Sequence, residues 1–498
     1  MRNLNTHSHE AAGIGANLEK QAYLKPEKIA IYYNDTEITY KMFAQHVAAY
    51  QKKLCQKVDA SKSPKVALLL GNEPMFLEIY FAVIMLGWTA VPFDPKWSMV
   101  EAKHIKNMAE PDVMITNDSF KQTAKYNFAE AINVDHAYVN DDDNDHLMVA
   151  DATKDFYLGF TSGSTGLPKG FIRNQQSWLS SFEAGEFVFT YDEDDVLMAP
   201  GPLCHSLSLF GATHALHIGA TFCLTPIFSA STVIEMIHTA DVTVIYGVPT
   251  MFHRLGSLDV YCNKSIIFLS SGAKLQPKVK TKLKSVFPNS IIYEYFGASE
   301  LSYVTYATDT FNKAYPESVG MPFPSVRITI RNEDGEELPA NQIGEIYVES
   351  DFLFSGYVQN EKGTKETLTK DGAFIGDIGY VNSVGALTVV GRKNNMMIIG
   401  GQNVYPEEVE RIIKMSNSVK EAIIIGIEDI HWGERMVAFI EWKDGKNHEL
   451  KRVKSLCKKY LSVYKRPRNY YTVTSFPYTN TGKIARQQIK ENIEEWMG

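Results

Sequence analysis

Layered α/β sheets with mainly parallel strands in a large N-terminal domain, a β-rich lobe within it and a small α+β domain at the C-terminus form the architecture this 498-residue sequence predicts. Three observations predict it. Apolar runs alternate with helix-like stretches between residues 65 and 295. Short alternating strands with turn signals fill the stretch from about Val326 to Val390. A polar interruption, GRKNN at Gly391–Asn395, separates two apolar segments and is followed by further alternation of helix and strand. The implied boundaries are a domain at 1–391, a connector at 392–395 and a C-terminal domain at 396–498. The length agrees, since about one domain per 150 residues allows two to four.

Taken in order, Lys65–Leu70 is a short apolar run that reads as a strand. Asn72 and Pro74 give cap and first-turn signals for a buried helix over Met75–Leu86, and Ala90–Phe93 reads as the next strand. Strands at Val242–Tyr246, at Ser265–Leu269 before a helix over Gln276–Val286, and at Ile291–Tyr295 repeat the pattern. In the β-rich lobe, Asn332-Glu333-Asp334-Gly335 and Lys370-Asp371-Gly372 supply the turns.

A hydrophobic fraction of 45% with 22% charged residues is that of a globular chain, which excludes disorder and fibrous repeats. The net charge of −8 argues against nucleic acid as a partner, and the lysines of 278–284 and 451–459 read as solvated helix faces. Cys55, Cys204, Cys223, Cys262 and Cys457 are scattered without CxxC spacing, which points to a reduced, cytoplasmic setting. The polar N-terminus lacks the apolar core of a signal peptide, and the apolar run from Met75 to Phe93 is broken by Glu78, Gly87 and Pro92, so no transmembrane segment is expected.

The most informative run is Phe160–Gly170, FTSGSTGLPKG. Gly163 and Gly166 let backbone N–H groups approach an anion, Thr161, Ser162, Ser164 and Thr165 add hydroxyl donors, and Lys169 adds a full charge. Leu167 and Pro168 between Gly166 and Lys169 break the Walker spacing, so this is a phosphate loop of another kind. Other segments are individually weaker. In FGASE (296–300), Glu300 follows an apolar strand, where a carboxylate suits a metal or is simply solvated. In SSGAKL (270–275), Gly272 permits close approach of a flat ring or an acyl chain. In FIGDIG (374–379), Asp377 can accept from two adjacent hydroxyls, as a ribose offers, or serve an ordinary turn. Lys483 in PYTNTGKIAR (477–486) and His205 in PGPLCHS (200–206) have solvated and structural readings by default.

Together, in this order from Pro26 to Arg486, these segments resemble the adenylate-forming enzymes, a superfamily that includes acyl-CoA synthetases, luciferases and peptide-synthetase adenylation domains, with fatty-acyl-CoA ligases closest. The resemblance implies an ATP-dependent acid–CoA ligase using Mg²⁺, ATP and CoA, with a mobile C-terminal domain. It assigns pyrophosphate to the loop from Thr161 to Lys169, the metal to Glu300 with Thr161, and the adenine pocket to Gly272, Ala273, Phe296, Gly297 and Ser299. The same carry-over gives the ribose to Asp377 and Arg392, the first transition state to Lys483, and the CoA tunnel to Gly400 and Gly401. It also puts His205 against the substrate carboxylate and the hinge at Asn394.

Phe296 and Ser299 stand where family members mostly carry tyrosine and threonine, and Asn394 where they commonly carry Asp or Lys. Amino-acid-activating members tend to place an acid near the acyl pocket, and none occurs between Pro200 and Leu224. The expectation is therefore an uncharged acyl chain, a medium- or long-chain fatty acid ahead of an aryl acid. A carrier-protein thiol in place of CoA is the alternative acceptor.

Overall fold

The computed structural model describes residues 12–59, 63–120, 131–134, 146–161, 168–399, 402–429, 433–443, 449–478 and 484–497. They form two compact units. The first holds the described residues of Met1–Thr161, Pro168–Arg327 and Val348–Ala373, the second those of Ile328–Tyr347 and Phe374–Gly498.

In the first unit a nine-stranded sheet of described residues runs in the order Met321–Pro322, Ser302–Thr308, Ile291–Ala298, Ile267–Ser270, Val244–Gly247, Val196–Met198, Thr221–Leu224, Ile29–Tyr33, Thr36–Thr39. From Ile291–Ala298 to Ile29–Tyr33 neighbouring strands are parallel, and both edges turn antiparallel. A seven-stranded sheet runs Gly356–Tyr357, Lys169–Asn174, Asp155–Thr161, Thr89–Pro92, Lys65–Leu69, Val113–Thr116, Ala131–Asn133. The near-continuous apolar character of strands such as Val244–Gly247 and Thr89–Pro92, both buried throughout, is what parallel strands covered on two faces require.

Every expected strand and helix in this region is present, with its ends shifted by at most three residues. The helix begins at Pro74 and ends at Met85, and all twelve of its residues are buried, the expected fate of a helix apolar on nearly every side; Glu78, its one charged residue, is paired with His46 at 2.7 Å. Asn72 does not cap it. Glu73 occupies the cap position, with Pro74 in the first turn, and the Asn72 amide serves a distant loop instead. Its Nδ2 donates to the carbonyls of Gly201 (2.9 Å) and Thr225 (3.1 Å), and its Oδ1 accepts from Leu203 N–H at 2.8 Å. Three partners on one side chain outweigh a single cap bond, because each of those backbone groups would otherwise be left unpaired.

The helix Ser206–Ile218 starts at His205 and stops at Gly219, whose φ of +89° is the left-handed conformation that favours glycine. Beneath it lies a buried polar chain. Tyr191 Oη sits 2.7 Å from His214 Nδ1 and 2.6 Å from Tyr246 Oη, Tyr246 Oη sits 3.2 Å from Tyr303 Oη, and His214 Nε2 sits 3.1 Å from Glu186 Oε1. The His214 ring stacks on Phe182 with centroids 4.3 Å apart.

The region from Val326 to Val390 carries the short strands expected of it, with a helix over Glu361–Thr367 that the turn-rich pattern did not suggest. Gly335 closes the predicted turn on Asn332 with a 3.0 Å bond and a φ of +82°. In the second unit, Asp377–Val381 pairs with Leu387–Arg392, and Gly344 and Glu345 pair with Gly379 and Ile378. Further along, Gly433–Trp442 lies between Val419–Asp429 and Asn469–Val473, backed by the helices Pro406–Lys414 and Leu450–Tyr460. That is an α+β arrangement. Among the described residues no helix is long and apolar enough to cross a membrane.

Two histidines of the first unit titrate abnormally. Burial holds His214 below its ordinary value with Glu186 opposing, and burial with His214 beside it pushes His217 down to about 4. Because the folded values lie below the unfolded one, the unfolded chain takes up these protons first, so stability is full above pH ~6.5 and is lost as pH falls toward 4. Acid unfolding of the His217→Gln protein, followed by circular dichroism at fixed urea, is expected to be less steep over that window, by on the order of 2 kcal/mol.

Candidate active site

In the first unit two of the segments singled out in the sequence, those of Gly272 and Phe296, lie at the carboxyl ends of the adjacent parallel strands Ile267–Ser270 and Ile291–Ala298, where open α/β sheets take their ligands. The strand bearing Phe296 extends to Ala298, three residues beyond the expected end at Tyr295, and folds back on Ser302–Thr308. A register shift between Phe296 and Gly297 marks a bulge there, and a side chain on Gly297 would run into the Ser302 carbonyl. Phe296 is half-buried opposite Thr305. On the neighbouring strand, Gly272 and Ala273 form an exposed turn in which Gly272 has φ +89°, and Ser271 Oγ ties that turn to the Tyr295 carbonyl at 3.2 Å. The adenine-pocket candidates of both segments are thus brought side by side.

Glu300 lies in the turn after the bulge and is half-buried. Its carbonyl accepts from Phe354 N–H at 2.9 Å and its Oε1 accepts from Tyr357 Oη at 3.0 Å. Next to it, Arg173 is completely buried. Its Nε donates to Ser177 Oγ at 3.1 Å, its Nη1 to the Ser299 carbonyl at 2.9 Å, and its Nη2 to Ser302 Oγ at 2.8 Å and to the Phe352 carbonyl. Burial pushes the guanidinium down to about 9 while the Glu300 carboxylate supports its charge, so it is a cation at neutral pH. A carboxylate oxygen is a hard donor of the kind Mg²⁺ prefers, and Thr161 would add a hydroxyl.

Thr161 and Lys169 face each other across the antiparallel pair Asp155–Thr161 and Lys169–Asn174, with Lys169 exposed. The remaining loop candidates, Ser162, Gly163, Ser164, Thr165 and Gly166, lie outside the described residues, as do Gly400, Gly401 and Lys483. What the structure adds near the loop is the strand itself, which carries Arg173 toward the Glu300 turn and pairs Phe171 and Ile172 with Tyr357 and Gly356.

His205 has a partner that sequence order hid. Asp94, buried just past the strand Thr89–Pro92, places Oδ2 3.5 Å from His205 Nε2, while its Oδ1 accepts from Lys96 N–H at 2.9 Å. Burial holds the His205 imidazole below its ordinary value; Asp94 opposes that shift and Lys96 reinforces it. Burial likewise pushes up the thiol of the adjacent Cys204. The count of acids between Pro200 and Leu224 was correct, yet a carboxylate reaches this place from another element. It faces the imidazole.

In the second unit, Asp377 and Arg392 are opposite residues of two paired strands, and Arg392 Nε lies 2.8 Å from Asp377 Oδ1. The carboxylate is 6% exposed and the guanidinium 52%, so the pair presents its cationic half to solvent. Asn394 is exposed in the short turn Lys393–Asn395, whose first N–H bonds the Gly376 carbonyl at 2.8 Å and whose Asn395 amide bonds Glu407. Tyr478 and Ile484 pair on either side of the segment holding Lys483, and Arg486 is anchored by Glu410 and the Ile424 carbonyl.

Asp94, Arg173 and Tyr357 were missed from the sequence. Arg173 alone carried a signal, a charged residue among the apolar and small residues that follow Lys169.

Comparison with known proteins places these features in context. The model of the AMP-binding enzyme family matches residues 18–358, and that of the AMP-binding enzyme C-terminal domain matches 408–483. A Bacillus subtilis protein named as an uncharacterized acyl-CoA ligase, YhfT, is 36% identical over 95% of this chain and 97% of its own. VraA of Staphylococcus epidermidis, provisionally named a long chain fatty acid-CoA ligase, is 32% identical over 94% of this chain and 96% of its own. The O-succinylbenzoate coenzyme A synthetase MenE of Bacillus subtilis, solved with ATP and magnesium ion, superposes with a TM-score of 0.86 at 25% identity, over 96% of this chain and 99% of that one.

Replacing Asp94 with Asn removes the carboxylate that supports the His205 proton, so the imidazole should titrate lower still. NMR titration of the histidine ring signals, with His205→Gln used for assignment, checks this. An unchanged His205 curve would contradict the pairing.

Proposed function

The chain belongs to the AMP-binding enzyme family, and from that membership we propose an AMP-forming acid–CoA ligase whose acid is a medium- or long-chain fatty acid. The observation that carries the reaction class is the end-to-end match to acyl-CoA ligases, 36% identical over 95% of the chain. The reaction has two halves. A carboxylate oxygen attacks the α-phosphorus of ATP and pyrophosphate leaves, giving an acyl-adenylate; the CoA thiol, losing its proton, then attacks the acyl carbon, and AMP departs with the C–O bond electrons.

The central difficulty is charge, because a carboxylate must approach a triphosphate. In this reading Thr161 to Lys169 hold the leaving pyrophosphate by hydroxyls, N–H groups and the lysine charge. Lys483 meets the substrate carboxylate and the α-phosphate together, offsetting their repulsion while both are held for attack. Asp377 accepts from the ribose hydroxyls, and Arg392 neutralises Asp377 while offering its exposed face to the nucleotide. Phe296 stacks on adenine beside the Gly272 turn. Magnesium, when bound by Glu300 with Thr161, would neutralise phosphate charge.

Asn394 is the pivot in this scheme. It separates a body at 1–391 from a C-terminal part at 396–498 that turns to bring Gly400 and Gly401 to the CoA thiol. A neutral amide suits that task, since Asn accepts unusual φ values, and no charge is switched there. A cytoplasmic setting fits five cysteines that are all free.

The fatty-acid assignment is supported by the name VraA carries and by apolar surroundings at Leu207, Leu209 and Phe210. The aryl reading draws support from the 25% identity to MenE, whose substrate is O-succinylbenzoate. ATP–pyrophosphate exchange over fatty and aryl acids of graded size, with CoA or a phosphopantetheinylated carrier then offered as acceptor, decides between them. Exchange that rises with aliphatic length supports the fatty reading; exchange with aryl acids alone overturns it.

Lys483→Ala is expected to lower adenylate formation by roughly 10²–10³-fold while sparing thioester formation from supplied acyl-adenylate. Gly401→Leu is expected to do the reverse. Single-turnover assays of the two half-reactions check both, and equal damage to each half by either change contradicts the scheme.

A further inference from the structure

Glu300 is held by more than its own strand. The turn that carries it is bonded from two sides, by the strand that leaves the phosphate-loop region and by the segment 352–357. From the first side, Arg173 donates to the Ser299 carbonyl and to Ser302 Oγ, the residues flanking Glu300 on either side. From the second, Phe354 N–H donates to the Glu300 carbonyl and Tyr357 Oη donates to Glu300 Oε1. The two sides are themselves joined, because Arg173 also donates to the Phe352 carbonyl and Tyr357 pairs with Phe171 on the strand bearing Arg173.

Three observations say that this arrangement is built for the carboxylate. A completely buried guanidinium is costly unless its donors are matched, and here the donors meet four oxygens. Ser302, which one of those donors fixes, has φ +55°, a conformation rare for residues other than glycine. Finally, the Tyr357 hydroxyl donates to Oε1 of the Glu300 carboxylate, a directional contact that sets the rotation of the carboxyl group.

We propose that Arg173 and Tyr357 are positioning residues for Glu300: Arg173 locks the turn between Ser299 and Ser302, and Tyr357 fixes the carboxylate rotation so that it can take a divalent cation accompanying nucleotide phosphates. The proposal rests on the reading of Glu300 as the metal ligand. It adds a mechanical link from the strand after the phosphate loop to the metal-binding turn, through one buried cation.

Mn²⁺ serves as the probe, because its binding in the presence of ATP is read by water-proton relaxation without any acid substrate. On full-length protein, Glu300→Gln is expected to weaken Mn²⁺ binding most, while Tyr357→Phe and Arg173→Lys weaken it by about three- to tenfold, the loss expected for about one net hydrogen bond. The Tyr357→Phe protein should keep the wild-type melting temperature, which a purely structural role would lower. In the Glu300→Gln background, Tyr357→Phe should add nothing. If Glu300→Gln leaves Mn²⁺ binding unchanged, the metal-ligand reading itself fails. If Glu300→Gln weakens binding while Tyr357→Phe and Arg173→Lys match wild type, the positioning role is overturned and the metal reading stands. Should Arg173→Lys not fold, Tyr357→Phe alone decides.

Discussion

Within the larger unit one buried positive charge, Arg173, is answered by four oxygens and joins three segments of the chain. Arg173 lies in a strand of the seven-stranded sheet, and its donors reach oxygens on a turn at the edge of the nine-stranded one and on the segment between. A charge of that kind cannot be left half-paired, so the three segments that answer it are fixed relative to one another far more strictly than apolar packing would require. The turn with Glu300, the strand that starts at Lys169 and the Phe352–Tyr357 stretch are thereby tied together by hydrogen bonds.

Around these segments the chemistry is distributed by strand ends. The parallel order from Ile291–Ala298 to Ile29–Tyr33 delivers the Gly272 turn and the Phe296 bulge to the same edge, and the antiparallel hairpin sets Thr161 opposite Lys169. In the second unit the same logic operates through an antiparallel pair, where register alone makes Asp377 and Arg392 opposite residues. In both units the sheets place polar groups whose neighbours in the chain are largely apolar.

Much of this was legible in the chain itself, and the reason is local. Apolar runs such as Phe268–Leu269 and Val244–Tyr246, the Pro74 start of a largely apolar helix, and Gly335 of the Asn332–Gly335 turn each determine their own conformation. The FGASE turn at the end of its strand was readable for the same reason, since the residue types and their spacing sit within a few positions. What was not legible lies across the sheet. Asp94 is more than a hundred residues from His205 in sequence, and Tyr357 is 57 residues from Glu300. Asn72 was misread because an amide before a proline-led helix is a good cap, and only the folded chain brings it three backbone partners at Gly201, Leu203 and Thr225. The helix Glu361–Thr367 was missed because its turn-like, polar sequence has no apolar face to betray it.

The buried series of Tyr191, His214, Tyr246 and Tyr303 under the helix Ser206–Ile218 has a consequence for how this interior can change. Each member of the series bonds the next, so trimming one ring removes a polar partner from its neighbour in an apolar surrounding. Remodelling that region into empty space, by natural drift or by laboratory selection, would therefore demand several replacements at once. Single-step searches for variants with a roomier interior should stall there and find their solutions elsewhere in the molecule.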